Sequence, residues 1–189
     1  MKTVIIYAHP WDGSFNHHIL TTTIEKLEAK GDLVDVIDLN KDEFDPVMHP
    51  ADLRVFAKGE YHDAKAEDYT KRLQVADRAI FIFPIWWYGM PAILKGFFDK
   101  VMLKGTTYVE DEDHNLRGVL DIKESAVLTT GNISKEIFSY VGDPIHNTMI
   151  EGIFKMVGIE NTTWLHCKTV HLEESRIEFL EELNTYLEK

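Results

Sequence analysis

The segment YAHPWDGSFNHHIL, residues 7 to 20, carries polar and small residues directly after an apolar run and contains no Lys or Arg. It is predicted to form a short loop that leads into a helix starting near Asn16. The N-terminus of a helix offers free backbone amides and partial positive charge, so it can bind a phosphate without a cationic side chain. Gly13 would let the backbone approach an oxygen, while His9, Ser14 and Asn16 would add side-chain donors.

The same pattern has a structural interpretation, in which Ser14 and Asn16 only cap the helix and His9 packs at the end of a strand. Spacing alone leaves both interpretations open. The sequence contains neither the G-x-G-x-x-G fingerprint nor the G-x-x-x-x-G-K-S/T phosphate loop. This absence disfavours phosphate transfer from nucleotides.

A second segment, PIWWYGMP at residues 84 to 91, places Trp86, Trp87 and Tyr88 immediately after another apolar run. Three large aromatic side chains at the end of a strand are costly to expose, unless they meet a flat ligand or another protein surface. Packing in the core or in a dimer is one explanation, and contact with a planar ligand is the other.

A third segment, TTGNIS at residues 129 to 134, also follows an apolar run. Gly131 and Asn132 both tolerate left-handed backbone angles, and amides arranged in this way can stabilise negative charge on a ring carbonyl. Because Thr-Gly turns are common, the segment gains meaning only if it lies beside the other two.

The elements that would position these segments alternate along the chain. Amphipathic stretches with helical spacing separate the apolar runs, which indicates βαβ units. The runs are unbroken, as in parallel strands buried on both faces, so we expect a doubly wound α/β fold with helices on both sides of the sheet. In such folds ligands bind beyond the carboxyl ends of the strands. The predicted strands are residues 3–8, 33–39, 78–84, 125–131 and 162–167.

Length and composition narrow the function classes. The 189 residues, 44% hydrophobic and 28% charged, predict a single globular domain over 1–189. A formal net charge of −12 disfavours binding to nucleic acid or anionic lipid, which leaves small molecules and proteins as partners. With one cysteine, no cleavable signal and no 18-residue apolar span, the expected location is the cytoplasm, without direct membrane insertion.

Taken together, the three segments offer a phosphate site, an aromatic surface and a polar amide edge at the ends of three strands. A flavin needs all three, because it has an anionic tail, a large flat ring and a pyrimidine edge on which charge accumulates during reduction. The sequence therefore predicts a flavin site.

The sequence resembles the NAD(P)H:quinone oxidoreductase family of flavodoxin-like flavoenzymes. This family includes quinone reductases, modulators of drug activity and ancillary proteins of potassium efflux systems. The resemblance covers most of the chain and is most specific in its long central motif. It is carried by IIYAHP, SFN, FPIWWYGMPAILKGFFDKV, LRG, LTTG and GIFKMVGI.

The resemblance implies a flavodoxin-like three-layer sandwich with a five-stranded parallel sheet in the order 2-1-3-4-5. It implies FAD as cofactor, with FMN as the alternative, and NAD(P)H and a quinone that occupy one pocket in turn. A homodimer is also implied. By similarity the phosphates would be held by His9, Ser14, Phe15 and Asn16, the ring by Pro84, Ile85, Trp86, Trp87 and Tyr88, and its pyrimidine edge by Thr129, Thr130, Gly131 and Asn132.

The chain departs from the family pattern in the third segment. It reads TTGN where the family usually reads TTGG, and the residues that follow differ from those of the long quinone reductases. In those enzymes a Tyr and a His of this region assist hydride transfer. Tyr140 and His146 are the candidates for that role here, on residue type and neighbourhood alone.

Other reactive residues are given structural interpretations. His17 and His18 are adjacent on a predicted helix and point about 100° apart, so no metal site is predicted. Cys167 is expected to be a buried inert side chain, and the acidic run 110–113 a solvated loop.

Three functions compete. The leading one is a two-electron NAD(P)H oxidoreductase that reduces a quinone or a similar acceptor by a ping-pong scheme. The alternatives are a flavin-bound regulatory subunit of a potassium-efflux-type transporter and a flavodoxin-like electron carrier. A hydrolase is disfavoured because the sequence lacks a G-x-S-x-G nucleophile elbow.

Overall fold

Five parallel strands form the central sheet of the computed structural model, which describes residues 1–188. In chain order the strands are β1 (Lys2–Tyr7), β2 (Leu33–Asp38), β3 (Arg78–Pro84), β4 (Tyr108–Glu110), β5 (Leu116–Gly118), β6 (Glu124–Thr130) and β7 (Thr162–Cys167). The sheet order is β2-β1-β3-β6-β7, while β4 and β5 pair as a separate antiparallel hairpin.

Helices cover both faces of the sheet. They are α1 (Phe15–Ala29), α2 (Pro50–Phe56), α3 (Ala64–Gln74), α4 (Ala92–Val101), α5 (Lys135–Tyr140), α6 (Lys155–Val157) and α7 (Glu173–Glu188). A π-helical segment, Pro144–Phe154, runs directly into α6. The predicted flavodoxin-like fold and its strand order are confirmed, since the five sheet strands follow the order 2-1-3-4-5 when numbered among themselves.

The central strand β3 explains why the two helical layers form. Every residue of its sequence RAIFIFP is buried, and successive side chains point to opposite faces. Phe81 and Phe83 belong to the cluster that includes residues of α3 and α4, whereas Ile80 and Ile82 belong to the cluster with α1 and α7. Each such side chain contributes about 1.5–3 kcal/mol by leaving water, so the strand is fixed from both sides.

Helix α1 begins at the first predicted loop. The Ser14 Oγ accepts a hydrogen bond of 3.1 Å from the His17 N–H, which makes Ser14 the N-cap. The helix ends beside Gly31, whose φ of +86° suits a residue without a Cβ atom. Ser14 therefore fixes the direction in which the free amides at the start of α1 point.

Two segments lie outside the simple alternation of strands and helices. The sequence of residues 51–77 predicts one or two helices interrupted at Gly59, and the structure has most of α2 and all of α3 there, with Gly59 between them. The acidic run 110–113, predicted to be a solvated loop, lies at the turn of the short β4–β5 hairpin, in which Val109 pairs with Arg117. Within residues 1–188, no helix has the length and apolar character needed to cross a membrane.

Candidate functional site

The three predicted loops leave the sheet side by side. Tyr7 at the end of β1 pairs with Ile82 of β3, and Pro84 at the end of β3 pairs with Thr130 at the end of β6. Because the strands are parallel, their carboxyl ends lie at the same edge. The first loop (8–14), the second loop (85–91) and the third loop (131–134) therefore meet at one rim.

Direct contacts join the three loops in pairs. The Asn16 Nδ2 donates to the Thr130 Oγ1 at 2.7 Å, which links the start of α1 to the end of β6. The Ile85 N–H donates to the Thr130 carbonyl, also at 2.7 Å. The rings of His9 and Trp86 lie 6.4 Å apart between centroids, which brings the first and second loops together.

The start of α1 holds polar groups without partners. Asn16 is only 3% exposed, and its Oδ1 accepts no hydrogen bond within residues 1–188. The N–H groups of Phe15 and Asn16 likewise have no acceptor among these residues, as is usual in the first turn of a helix. A buried acceptor next to free amides suits a ligand that carries both hydroxyl and phosphate groups.

Burial also changes the titration of the first loop. It lowers the pKa of the His9 imidazole, so this side chain is neutral over a wider pH range than a free histidine. It raises the pKa of the Tyr7 hydroxyl to about 12, so Tyr7 carries no charge near neutral pH. Both groups near the start of α1 are thus uncharged near neutral pH.

The side chain of Phe15, the first residue of α1, packs against helix α7. Its ring packs 6.0 Å from that of Phe179 on α7, and the Arg176 guanidinium lies 5.4 Å from its centroid. Arg176 was not identified from the sequence, because its place beside Phe15 depends on the docking of α7 against α1. It is a cation beside the proposed phosphate site, and the only basic residue within α7.

The second loop turns sharply at its aromatic residues. Trp86 and Gly89 exchange two backbone hydrogen bonds of 3.0 Å, and the two residues between them have positive φ, +48° at Trp87 and +66° at Tyr88. Such turns normally contain Asn and Gly, since a bulky residue at positive φ is strained. The strained φ angles and the 97% exposure of Trp87 make this turn a candidate binding surface.

Several polar groups at the third loop already have hydrogen-bond partners within the protein. The Thr129 side chain points away from the rim and accepts a hydrogen bond from Trp164, while the Gly131 N–H donates to the Cys167 carbonyl. Asn132 pairs through its Oδ1 with His171 at 2.7 Å. The Thr129 side chain and the Gly131 N–H therefore already have hydrogen-bond partners within the protein, and the role predicted for both at a ring edge stays a prediction.

Tyr140 and His146 lie apart from the contacts that join the loops. Tyr140 ends α5 and is 89% exposed. His146 lies in the first turn of the π-helical segment and lines a surface cavity of about 570 Å³ with Asn161 and Thr162, at the amino end of β7. That end of the strand is opposite to the rim, so His146 lies away from the three loops. The roles of Tyr140 and His146 in hydride transfer stay predictions.

Comparison with known proteins agrees with the flavodoxin-like fold and gives named relatives. The family profile described as flavodoxin-like fold matches residues 1–189. The chain is 33% identical over 187 residues to a ribosyldihydronicotinamide dehydrogenase-like protein of Penicillium crustosum, covering 85% of this chain and 70% of that protein. It is 31% identical over 164 residues to NAD(P)H dehydrogenase [quinone] 1 of Cavia porcellus, covering 78% of this chain and 58% of that protein.

A solved structure of a quinone oxidoreductase is also similar to the chain. The NAD(P)H:quinone oxidoreductase from Methanothermobacter marburgensis superposes with a TM-score of 0.82 at 26% identity, covering 96% of this chain and 94% of that chain. The similarity extends over nearly the whole of both chains, and the motifs quoted from the sequence lie within it. The chain belongs to the flavodoxin-like family, in the group that contains the NAD(P)H:quinone oxidoreductases.

Proposed function

We propose that the protein is a flavin-dependent NAD(P)H oxidoreductase that passes two electrons to a quinone or a similar acceptor. The observation that carries the proposal is the meeting of three loops at one rim, joined through Asn16, Ile85 and Thr130. The relatives named as quinone dehydrogenases and oxidoreductases support the same reaction.

The residues at the rim fit a flavin. The unpartnered Asn16 Oδ1 can accept from a hydroxyl of the ribityl chain, and the free N–H groups of Phe15 and Asn16 can donate to a phosphate. Ser14 and His9 complete this end. Pro84 to Tyr88 would line the ring, and residues 129 to 132 would lie along its pyrimidine edge, mainly through backbone groups.

The bound flavin would supply the hydride chemistry, which no side chain can provide. The protein would orient the ring, exclude water from one face and leave the other face open to NAD(P)H and then to the acceptor. Free amides of the third loop would offset negative charge at the ring edge. Tyr140 and His146 remain candidates for proton donation, and unchanged turnover of a Tyr140→Phe, His146→Gln double variant would remove that role.

FAD is the proposed form of the cofactor, with FMN as the alternative. The pyrophosphate of FAD extends beyond the position of the single phosphate of FMN, and Arg176 places a cation beside Phe15 for such an extended anion. Chromatography of the flavin released by denaturation distinguishes the two forms.

A homodimer is also part of the proposal. Trp87 and Tyr140, exposed by 97% and 89%, would be covered in part by a second copy of the chain. Light scattering coupled to size-exclusion chromatography gives the oligomeric state. A cytoplasmic location fits a donor such as NAD(P)H.

The decisive experiment combines binding and turnover. Purified protein is titrated with FAD and FMN, and the loaded protein is assayed with NADH and NADPH against menadione. Steady oxidation without a stable blue semiquinone supports the oxidoreductase and argues against an electron carrier. Flavin binding with negligible turnover and tight association with a transporter would favour the regulatory subunit, and no binding of either flavin would refute the proposal.

A further inference from the structure

A chain of hydrogen bonds lies under the third loop, between β6 and β7. The Trp164 Nε1 lies 2.9 Å from the Thr129 Oγ1, which lies 2.8 Å from the His166 Nδ1. The His166 Nε2 in turn lies 2.7 Å from the Ile133 carbonyl oxygen. Four residues from two strands and one loop are thus connected in a single line.

The direction of every hydrogen bond in this line follows from chemistry. The Ile133 carbonyl can only accept, so the His166 Nε2 must carry the proton and donate. In the neutral ring the Nδ1 is then an acceptor, and the Thr129 hydroxyl donates to it at 2.8 Å rather than to the Leu165 carbonyl, which lies farther away at 3.3 Å. The indole Nε1–H of Trp164 can only donate. It donates to a lone pair of the Thr129 Oγ1, which is still free to accept while the hydroxyl proton is donated to His166. All four groups are satisfied in one tautomer of His166.

The surroundings of His166 favour that neutral tautomer. The ring packs edge-on against Phe138 at 5.6 Å between centroids. Burial lowers the pKa of the imidazole, and the positive charge of Lys135 acts in the same direction. A neutral, partly buried histidine with two directed hydrogen bonds has a fixed orientation.

The end of this line fixes a peptide plane of the third loop. The N–H groups of Gly131 and Ile85 are already bonded, to Cys167 and Thr130 respectively. The N–H groups at positions 132–134 have no acceptor within residues 1–188. Because the N–H of a trans peptide points opposite to its C=O, holding the Ile133 carbonyl toward His166 directs the Ser134 N–H away from the sheet interior.

We propose that His166 is a positioning residue of the flavin site, which aims the Ser134 N–H of the third loop at the pyrimidine edge of the ring. This inference rests on the proposed function, because it assigns a purpose to that amide. The alternative is a histidine that only stabilises the contact between β6 and β7.

Two substitutions separate the two ends of the imidazole. His166→Gln can place an amide donor near the former Nε2 position and keep the bond to Ile133, whereas His166→Asn can replace only the acceptor at Nδ1. We expect His166→Gln to bind flavin within about threefold of the wild type, and His166→Asn to bind it about five- to tenfold more weakly, as for one lost hydrogen bond.

A matched control is available on the same two strands. The Ser125 Oγ lies 2.7 Å from the Thr162 Oγ1 and is fully buried, at the end of β6 opposite to the third loop. Ser125→Ala removes a side-chain contact between β6 and β7 without touching the rim. It should lower the melting temperature and leave flavin affinity unchanged.

The midpoint potential of the bound flavin gives a readout that loss of stability does not move. If that amide stabilises the reduced ring, His166→Asn should shift the potential roughly 15–30 mV more negative, which corresponds to a three- to tenfold loss of preference for the reduced form. In the flavin-free protein, ¹⁵N NMR should show the neutral Nε2–H tautomer of His166. Thr129→Val removes the donor to Nδ1 but leaves the Ile133 acceptor in place, so it should keep the Nε2–H tautomer and shift only the Nδ1 resonance toward that of an unbonded nitrogen.

The outcomes separate this inference from the proposed function. Failure of the wild type to bind either flavin refutes both. If the wild type binds flavin but His166→Asn keeps its affinity and potential, as Ser125→Ala should, His166 has no positioning role and the inference is wrong. An Nδ1–H tautomer in the wild type would also overturn it.

Discussion

The Asn16 amide donates a hydrogen bond of 2.7 Å to the Thr130 hydroxyl across a separation of 114 residues. Both side chains are buried, Asn16 at the start of α1 and Thr130 at the end of β6. This contact ties the proposed phosphate end of the site to the proposed ring edge. It also leaves the Asn16 Oδ1 as a free acceptor in a buried position.

Removal of this contact should affect stability and binding together. Thr130→Val leaves the Asn16 Nδ2 buried without an acceptor, so we expect the free energy of unfolding to fall by about 1–3 kcal/mol. Flavin affinity should fall as well, because Asn16 is no longer held in place. Urea unfolding and flavin titration measure the two effects.

Thr23→Val is the matched control for that substitution. Thr23 is equally buried on α1, but its hydroxyl bonds to the Ile19 carbonyl of the same helix at 2.7 Å. It should leave flavin affinity unchanged. Equal loss of affinity in the two variants would contradict the specific role given to the Asn16–Thr130 contact.

The turn at Trp87 and Tyr88 should store strain that a better turn sequence releases. Replacing these residues together by Asn and Gly supplies the types that tolerate positive φ at both positions. We expect the flavin-free protein to gain about 1–2 kcal/mol, with a rise in melting temperature of about 2–4 °C per kcal/mol. Flavin binding should weaken, since the aromatic surface is lost.

The two readouts of this variant must move in opposite directions. Calorimetry of the flavin-free protein and flavin titration provide them. A Trp87→Phe, Tyr88→Phe variant is the control, because it keeps both strain and aromatic surface. If the Asn-Gly variant melts at a lower temperature than the wild type, the turn is not strained in the way that its φ angles indicate.

Much of the fold could be predicted from the sequence because its central strands are buried on both faces. The run 78–84 coincides with β3, in which every residue is buried. The run 162–167 coincides with the edge strand β7, which is only partly buried and has a weaker apolar pattern. The segment after the third loop could not be predicted. It forms α5 and the π-helical Pro144–Phe154, whose wider turns depend on packing rather than on local propensity.

The candidate site was predictable at the level of loops but not of individual contacts. Parallel strands place their carboxyl ends together, so three loops after three strands had to meet. Which groups are already bonded depends on tertiary structure: Thr129 turns inward, and Gly131 bonds to Cys167. His166 leaves no signal in the sequence, whereas Arg176 does, as the one basic residue of the acidic helix α7.

Arg176 should contribute electrostatically to flavin binding. Arg176→Met keeps much of the apolar stem over Phe15 but removes the charge, so we expect affinity to fall about two- to fivefold, as is typical for an exposed ion pair. The difference from the wild type should shrink as salt is raised, because the side chain is exposed. Flavin titrations at low and high ionic strength measure this.

Arg176→Lys provides the comparison for that prediction. It retains the charge but not the planar guanidinium, which also donates through Nε to the Val170 carbonyl. It should therefore bind more tightly than Arg176→Met at low salt. If both variants bind flavin like the wild type, the cation is not part of the phosphate site.

The buried state of His166 should make the stability of the flavin-free protein depend on pH. Its pKa is lower in the folded chain than the ordinary value of 6.5, because burial penalises the charged ring. The unfolded chain therefore binds the proton first as the pH falls. The free energy of unfolding should be independent of this group above pH 6.5 and should decrease below it, by at most about 1.4 kcal/mol per pH unit.

Comparison with His166→Gln isolates this contribution, because the glutamine cannot titrate. The wild type should lose more stability than the variant between pH 7 and pH 5 when unfolding in urea is followed at each pH. Burial of His9 produces a loss of the same sign in both proteins, so it cancels in the difference. Parallel curves for the wild type and His166→Gln would mean that His166 takes up its proton equally well in the folded and unfolded chains, which the neutral tautomer held by Thr129 and Ile133 does not allow.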